Sequence, residues 1–522
     1  MRCTRLLVAL FAAALAFGAQ AKTFRYADQG DVVSMDPYML NESLLLNFTG
    51  NVYEALVGRG KKLELQPELA TAWKQTAPTV WRFDLRQGVT FHDGTPFTAD
   101  DVIFSWQRAK GEGSDIKSYV GEITEIRKID DHTIDIVTQA PLPILPDVIS
   151  QWRIMSKAWC EKNNAMQPSD VRKGVENYAS NHADGTGPFM LKERQPGVKT
   201  VLVPNPHWWG KVEHNVTEAI FTPIGNPATR VAALVSGEID MMEPVPLQDI
   251  ARLRADPKLV ILQGPELRTI FLGMDQHRDE LLYSSVKGKN PFKDLRVRRA
   301  FYVAIDENAI KTSIMRGAAT PTALMVAPGI RGFDPKLNKR YPYNPAQAKK
   351  LLAEAGYPDG FEVRMNCPND RYVNDAQICQ AVAAMLAKVG VKIDLAAEPK
   401  ATYFPKILKR DTSFYMLGWT PASYDSQNPL FALMATPGPG GQGQFNLGWY
   451  SDARVDELTK AIASETDQAK RQAMISEAFK IHKEAFGHIP LHQQALAWGM
   501  RKGVHVVQLP DNFNYLRWVH ID

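Results

Sequence analysis

The chain has 522 residues, of which 23% are charged and 45% hydrophobic, with a formal net charge of +4. That length exceeds what one hydrophobic core serves, so two or three domains are expected, and the ordinary balance of apolar and charged residues excludes a disordered chain. No basic run is long enough to follow a nucleic-acid backbone, so nucleic acid is not an expected partner.

The first expected element is a cleavable secretory signal at 1–21. Arg2 and Arg5 form a basic start, residues 6–17 an apolar core, and Ala19-Gln20-Ala21 an A-x-A site before Lys22. The apolar core is shorter than the roughly 20 residues of a membrane span, and no later segment is long and apolar enough to be one. Cys3 precedes the apolar core, so no lipid anchor is expected. Removing Arg2 and Arg5 from the 61 basic residues leaves 59 against 57 acidic ones, in a freely diffusing periplasmic protein.

Further along, Trp81, Phe83 and Leu85 alternate with Arg82, Asp84 and Arg86, the period of a strand with one buried face. Gly88 ends it, His92-Asp93-Gly94-Thr95-Pro96 supplies turn chemistry, and Thr98 three residues before Asp101 reads as a capping box opening a helix that buries Val102, Ile103 and Trp106. Asn344-Pro345 starts a second helix, with Leu351 and Leu352 facing inward and Gly356 ending it. Ile378, Val382, Met385 and Val389 mark a third, which Gly390 ends before the alternating strand Val391-Lys392-Ile393-Asp394-Leu395. Val455, Leu458 and Ile462, then Ile475, Phe479 and Phe486, mark two more helices. The alternation is that of an α/β protein. No repeat of 20 to 50 residues is visible.

Cys160, Cys367 and Cys379 follow the signal. In an exported chain Cys367 and Cys379 close a short local loop, worth roughly 3 kcal/mol if bridged, which leaves Cys160 free and buried. No paired C-x-x-C or spaced His accompanies them, so zinc is the weaker reading and no metal or cofactor is expected. His488 and His492 lack a third ligand. The glycine-rich Gly438-Pro439-Gly440-Gly441-Gln442-Gly443 has no following Lys-Ser/Thr and reads as a mobile surface loop. With no G-x-S-x-G, no H-E-x-x-H and no nucleophile beside a base, an exported hydrolase has no chemistry to rest on, and no enzyme is expected.

The segment from Glu68 to Arg108 resembles the signature region of the family 5 extracytoplasmic solute-binding proteins, the peptide and nickel receptors of ABC importers. Tyr53-Glu54-Ala55-Leu56, Gly185-Thr186-Gly187-Pro188-Phe189, Asn205-Pro206-His207-Trp208-Trp209, Val297-Arg298-Arg299-Ala300-Phe301 and Gly448-Trp449-Tyr450-Ser451 are similar to further words of that family. The resemblance implies a two-lobed periplasmic binding protein fold of the large type II class with an additional inserted domain. It divides the chain into lobe I (22–52, 185–270 and 490–522), an inserted domain II (53–184) and lobe III (271–489), with crossings near Gly187 and Ile489. It also implies a monomer that captures a short peptide or peptide-like solute between its lobes and delivers it to an inner-membrane ABC permease. A non-peptide solute, such as an opine, an oligosaccharide or a chelated metal, is the alternative.

A peptide receptor needs a cation for the ligand carboxylate, an acid for its ammonium and aromatic walls. By the resemblance Arg371, in Cys367-Pro368-Asn369-Asp370-Arg371-Tyr372-Val373-Asn374, takes the carboxylate, for which a planar guanidinium suits better than an ammonium. Leu417-Gly418-Trp419-Thr420-Pro421-Ala422-Ser423-Tyr424-Asp425 resembles the family's Gly-Trp motif, with Trp419 as a stacking wall and Ser423 and Tyr424 beside the ligand. Peptide receptors carry an Asp three residues after that Trp. Here the position is Ala422, and Asp425 or Glu42 is expected to replace the acid unless the ligand has no free α-amine. Leu40, Asn41 and Glu42 match a segment that offers backbone and short polar groups to the ligand.

Overall fold

The computed structural model describes residues 22–522; the expected secretory signal at 1–21 lies outside the described residues. The chain opens with β1 (Thr23–Asp28) and the helix α1 (Ser43–Thr49), whose N-cap is Glu42, its carboxylate accepting from Leu45 N–H. Then β2 (Ala70–Ala77), β3 (Val80–Leu85), α2 (Ala99–Lys110), β4 (Ile123–Asp130) and β5 (Thr133–Thr138) follow, and the four strands form a separate antiparallel sheet in the order β2-β3-β5-β4. Phe83 and Leu85 are buried on one face of β3, as the alternation predicts. The capping box of α2 is present, with Thr98 Oγ1 accepting from Asp100 N–H and the Asp101 carboxylate accepting from Thr98 N–H. Its buried face differs from expectation. Val102 is buried, but Ile103 and Trp106 are only half-buried, while Arg108 is buried because Asp36 neutralises it.

A second, mixed sheet of eleven strands runs through the rest of the described residues. It gathers β6 (Phe189–Gln195), β7 (Lys199–Pro204), β8 (Glu218–Pro223), β9 (Met241–Glu243) and the long β10 (Leu259–Met274). After α3 (Pro345–Glu354) come β11 (Glu362–Pro368), α4 (Asp375–Ala387), β12 (Lys392–Glu398), α5 (Lys400–Ile407) and β13 (Phe414–Trp419). The helices α6 (Ala453–Ser464) and α7 (Gln468–Glu484) precede the long β14 (His488–Arg501). The order is β12-β11-β13-β10-β14-β9-β1-β8-β7-β6, with the short strand Ala319–Pro321 also on β14.

β10 and β14 belong to both halves of this sheet. Leu259 to Pro265 pair with Arg501 to Ala495, on the side that reaches β9 and β1; Thr269 to Gly273 pair with Gln493 to His488, on the side that reaches β13. Between Pro265 and Thr269 the register shifts. Both long strands therefore run through both halves of the sheet, and their pairing is interrupted at 265–269 opposite 493–495. β11 and β12 are parallel and joined by α4, which buries Ile378, Val382 and Leu386 against them. Asn344 caps α3 as expected, accepting from Gln347 N–H.

The disulfide Cys367–Cys379 ties the end of β11 to α4, and Cys160 is free and buried. The glycine-rich segment is exposed at 438–440, as a surface loop should be, yet it packs against another part of the chain. A Cβ on Gly121 would stand 1.9 Å from the Gly440 carbonyl oxygen, so backbone meets backbone there, and Gln444 donates to the Asp115 carboxylate at 3.0 Å. Only a residue without a side chain permits that approach.

Candidate ligand-binding site

A cavity opens where several parts of the chain converge: the start of α1, residues Tyr119 and Gln151 near the four-stranded sheet, the loops after β11 and β13, and the segment that follows β14. Its walls are mainly apolar and aromatic, including Leu46, Phe404, Trp419, Phe445 and Phe513. Three lining side chains carry charge: Glu42, Arg371 and Asp511.

Arg371 stands on the loop between β11 and α4. The Asp375 carboxylate at the start of α4 fixes that loop by accepting from the N–H groups of Arg371 and Tyr372, both at 2.9 Å, and the Asp370 carboxylate accepts from Lys400 N–H at 2.6 Å. Burial outweighs these bonds and pushes the Asp375 carboxyl up to about 7. Asn374 takes the left-handed backbone conformation that Asn tolerates, and its amide donates to the Ile314 carbonyl. Tyr372 accepts Gly418 N–H at 2.8 Å through its hydroxyl, so the Arg371 loop and the Gly-Trp strand β13 are bound together. A Cβ on Gly418 would lie 2.7 Å from the Tyr372 ring, which is why glycine stands there.

Arg371 Nε lies 2.6 Å from Glu42 Oε1, and Lys400 Nζ lies 3.5 Å from Glu42 Oε2. Burial alone would raise the Glu42 carboxyl; Arg371 and Lys400 overcome it and hold it at about 2. The Arg371–Glu42 contact is electrostatic, since neither Nε nor Oε1 meets hydrogen-bond alignment, and Lys400 Nζ has no hydrogen-bond partner among the described residues. The guanidinium also stacks over the Tyr372 ring at 5.0 Å. Two cations thus share the Glu42 carboxylate, with Asp28 and Asp370 also close enough to feel their charge, and among the described residues their side-chain donors are unused.

Leu40 and Asn41 line the cavity with Glu42. Asn41 Oδ1 accepts from the Tyr119 hydroxyl at 2.7 Å, and its amide nitrogen is buried without a partner among the described residues. Trp419 is a wall residue, fixed by donation from Nε1 to Asn428 Oδ1 at 2.8 Å and by the Phe445 ring at 4.8 Å. Ala422 and Tyr424 line the cavity; Ser423 is buried behind it.

Asp425 is elsewhere, and the expectation that it faces the ligand is corrected. It is fully buried against α7, where Arg471 grips it with two bonds of 2.7 and 2.9 Å and Arg331 approaches to 3.5 Å. A carboxylate already neutralised twice has nothing to offer a ligand. The residues that sequence reasoning missed are Asp511 and Phe513 on the C-terminal segment, Tyr119 and Gln151, Phe404 and Phe445, and Lys400 behind the wall.

The family model for bacterial extracellular solute-binding proteins, family 5 (middle), matches residues 64–441. The chain belongs to that family. Among curated relatives of this family 5 protein, heme-binding protein A of Haemophilus influenzae is 26% identical over 91% of this chain and 86% of its own length. The dipeptide-binding protein of Escherichia coli is 26% identical over 94% of this chain and 91% of its own. In fold the chain is similar to the ABC transporter-associated periplasmic binding protein DppA from Helicobacter pylori in complex with peptide STSA, with a TM-score of 0.85 and 24% identity over 96% of this chain and 98% of that one. The family 5 chain is a mixed α/β solute-binding protein of the ABC importer class, whose members are periplasmic binding proteins and not enzymes.

Proposed function

We propose that this family 5 protein captures a short peptide or peptide-like solute in the cavity at Arg371 and hands it, as a periplasmic monomer, to an inner-membrane ABC permease. The supporting observation is the unused cation at one end: Arg371 and Lys400 share the single carboxylate of Glu42, and no side-chain donor of Arg371 is in a hydrogen bond among the described residues. A ligand carboxylate supplies the missing acceptor. Lobes at 22–52 with 185–270 and 490–522, and at 271–489, with the domain 53–184 inserted, are the division on which this reading rests.

Ala422 in the cavity wall favours a second reading, in which the solute is not a peptide and has no ammonium at the family's usual acid position. A thermal-shift screen of free di- to pentapeptides against opines, oligosaccharides and chelated metals separates the two. For an acid ligand, Arg371→Ala is expected to weaken binding by about 1.5 to 3 kcal/mol while hardly affecting the C-terminal amide. Equal losses for acid and amide would make Arg371 a structural residue.

A further inference from the structure

The geometry points to a second charged subsite in this cavity: the Asp511 carboxylate, braced by Tyr424, receives the ammonium or guanidinium group of a ligand whose carboxylate lies on Arg371. It rests on the reading that this cavity holds the solute, and it supplies the acid that the Gly-Trp loop lacks.

Asp511 is 2% exposed and lines the cavity. Its Oδ1 accepts from Phe513 N–H at 3.0 Å, and its Oδ2 accepts from the Tyr424 hydroxyl. An ionised carboxylate has about four acceptor sites, so two remain open. Among the described residues no Lys, Arg or His nitrogen forms an ion pair with it, unlike Glu42, which meets two cations, and Asp425, which meets two arginines. It is the uncompensated acid of the lining.

Its place is as telling as its charge. Tyr424 lies two residues beyond Ala422, and both line the same wall, so Asp511 stands against the loop whose own acid is missing. The neighbouring residues of its segment are fixed to the long strands: Leu267 N–H of β10 donates to the Pro510 carbonyl at 2.8 Å, and Trp498 Nε1 of β14 donates to Asn512 Oδ1 at 2.8 Å. The Thr420 hydroxyl oxygen, buried in the same lining without a hydrogen-bond partner among the described residues, offers a second acceptor. The bland alternative, a carboxylate that only shapes its own turn, accounts for the bond to Phe513 but not for the open acceptor sites facing a cavity.

Burial raises the Asp511 carboxyl to about 6, with the charge of Glu266 adding to it and the Tyr424 hydroxyl opposing it. Tyr515 also faces it, and Arg59 covers the far side of the Tyr424 ring at 4.7 Å. Ionised above pH 6 and neutral below, Asp511 makes cation binding weaken as the pH falls from 7 to 5. Glu42, held at about 2, does not titrate in that window; Asp375, at about 7, does, but it acts on the Arg371 loop and so on free and N-acetyl peptides alike.

The test uses the mature protein and a panel of di- to pentapeptides with free termini, each paired with its N-acetyl form, ranked by thermal shift and measured by calorimetry. The tightest free peptide is expected to bind roughly 10- to 100-fold better than its N-acetyl form, and Asp511→Asn to erase that preference while leaving the N-acetyl form within about twofold. Tyr424→Phe should erode it partly. In the wild type the preference should shrink between pH 7 and 5. Unchanged discrimination in Asp511→Asn overturns the subsite; if Arg371→Ala still separates acid from amide, the cavity reading stands without it. If Asp511→Asn does not fold, the wild-type pH series decides, and a pH-independent preference overturns the inference. Failure of every free-amine peptide to stabilise the wild type, while blocked or non-peptide solutes do, overturns it together with the peptide reading.

Discussion

Among the buried arginine–carboxylate clusters of the described residues, Arg108–Asp36 and Arg371–Glu42 stand at opposite extremes, one saturated and one not. Arg108 meets Asp36 through two bonds of 2.8 and 2.6 Å, both side chains are 0% exposed, and the remaining guanidinium donors reach the carbonyls of Ala165 and Gln167. Asp36 also accepts from the backbone N–H groups of Ser169 and Tyr38. Arg371 and Glu42 are nearly as buried, at 10% and 2%, yet their contact lacks hydrogen-bond alignment and a second cation crowds the same acid. Chemically the pairs are alike; what differs is saturation. A cluster whose donors all have partners fastens segments of the fold to one another, whereas a buried cluster with donors to spare keeps hydrogen-bonding capacity that the fold itself does not use.

Removing one partner from the saturated cluster should give the largest effect. Arg108→Met leaves Asp36 buried without a counter-ion, and a loss of about 3 to 5 kcal/mol in unfolding free energy is expected by denaturant titration, with ligand affinity of the folded fraction unchanged. A variant as stable as the wild type would show that the pair is not what joins these segments.

Next in size is the disulfide that brackets the Arg371 loop. Cys379→Ser should lower stability by about 3 kcal/mol, on the chain-entropy scale for so short a closed loop, and should also weaken binding, because β11 and α4 hold that loop from either end. Loss of stability with affinity intact would mean that Asp375 alone positions Arg371.

The smallest change expected is in Glu42→Gln, which keeps an oxygen for the N-cap of α1 and frees Arg371 and Lys400. Acid ligands should bind more tightly by about 1 kcal/mol, the net scale of one hydrogen bond gained by the freed donors. The wild type has a further signature: with Glu42 held near 2 rather than at its ordinary 4.5, its stabilising contribution is complete above pH 4.5 and vanishes as the pH falls through 2. The Gln variant should lack that step in an acid-unfolding series.

The fold was legible where local chemistry acts locally. The capped helix α2, the Asn344-Pro345 start of α3 and the alternation of β3 need only neighbouring residues, and the Cys367–Cys379 bridge spans one strand-to-helix turn. Of the residues lining the cavity, Leu40, Asn41, Glu42, Arg371, Trp419, Ala422 and Tyr424 were reachable because each lies in a recognisable word. Asp425 was misread because its partner, Arg471, is 46 residues away on a helix, and nothing near Asp425 announces that its charge is already met. Asp511 was missed for the opposite reason. The segment after β14 has no periodicity, and its place in the cavity comes from long-range bonds to Leu267 and from β14 through Trp498, which no local pattern encodes.

The register shift in β10 has a mechanical consequence. Both long strands stay paired above and below residues 265–269, so the sheet resists sliding along its hydrogen bonds and yields most easily as a crease across that line. The Arg371 loop lies on one leaf and the C-terminal segment is pinned at the crease itself. A molecule that bridged them would act as a spacer, its length setting the angle of that crease.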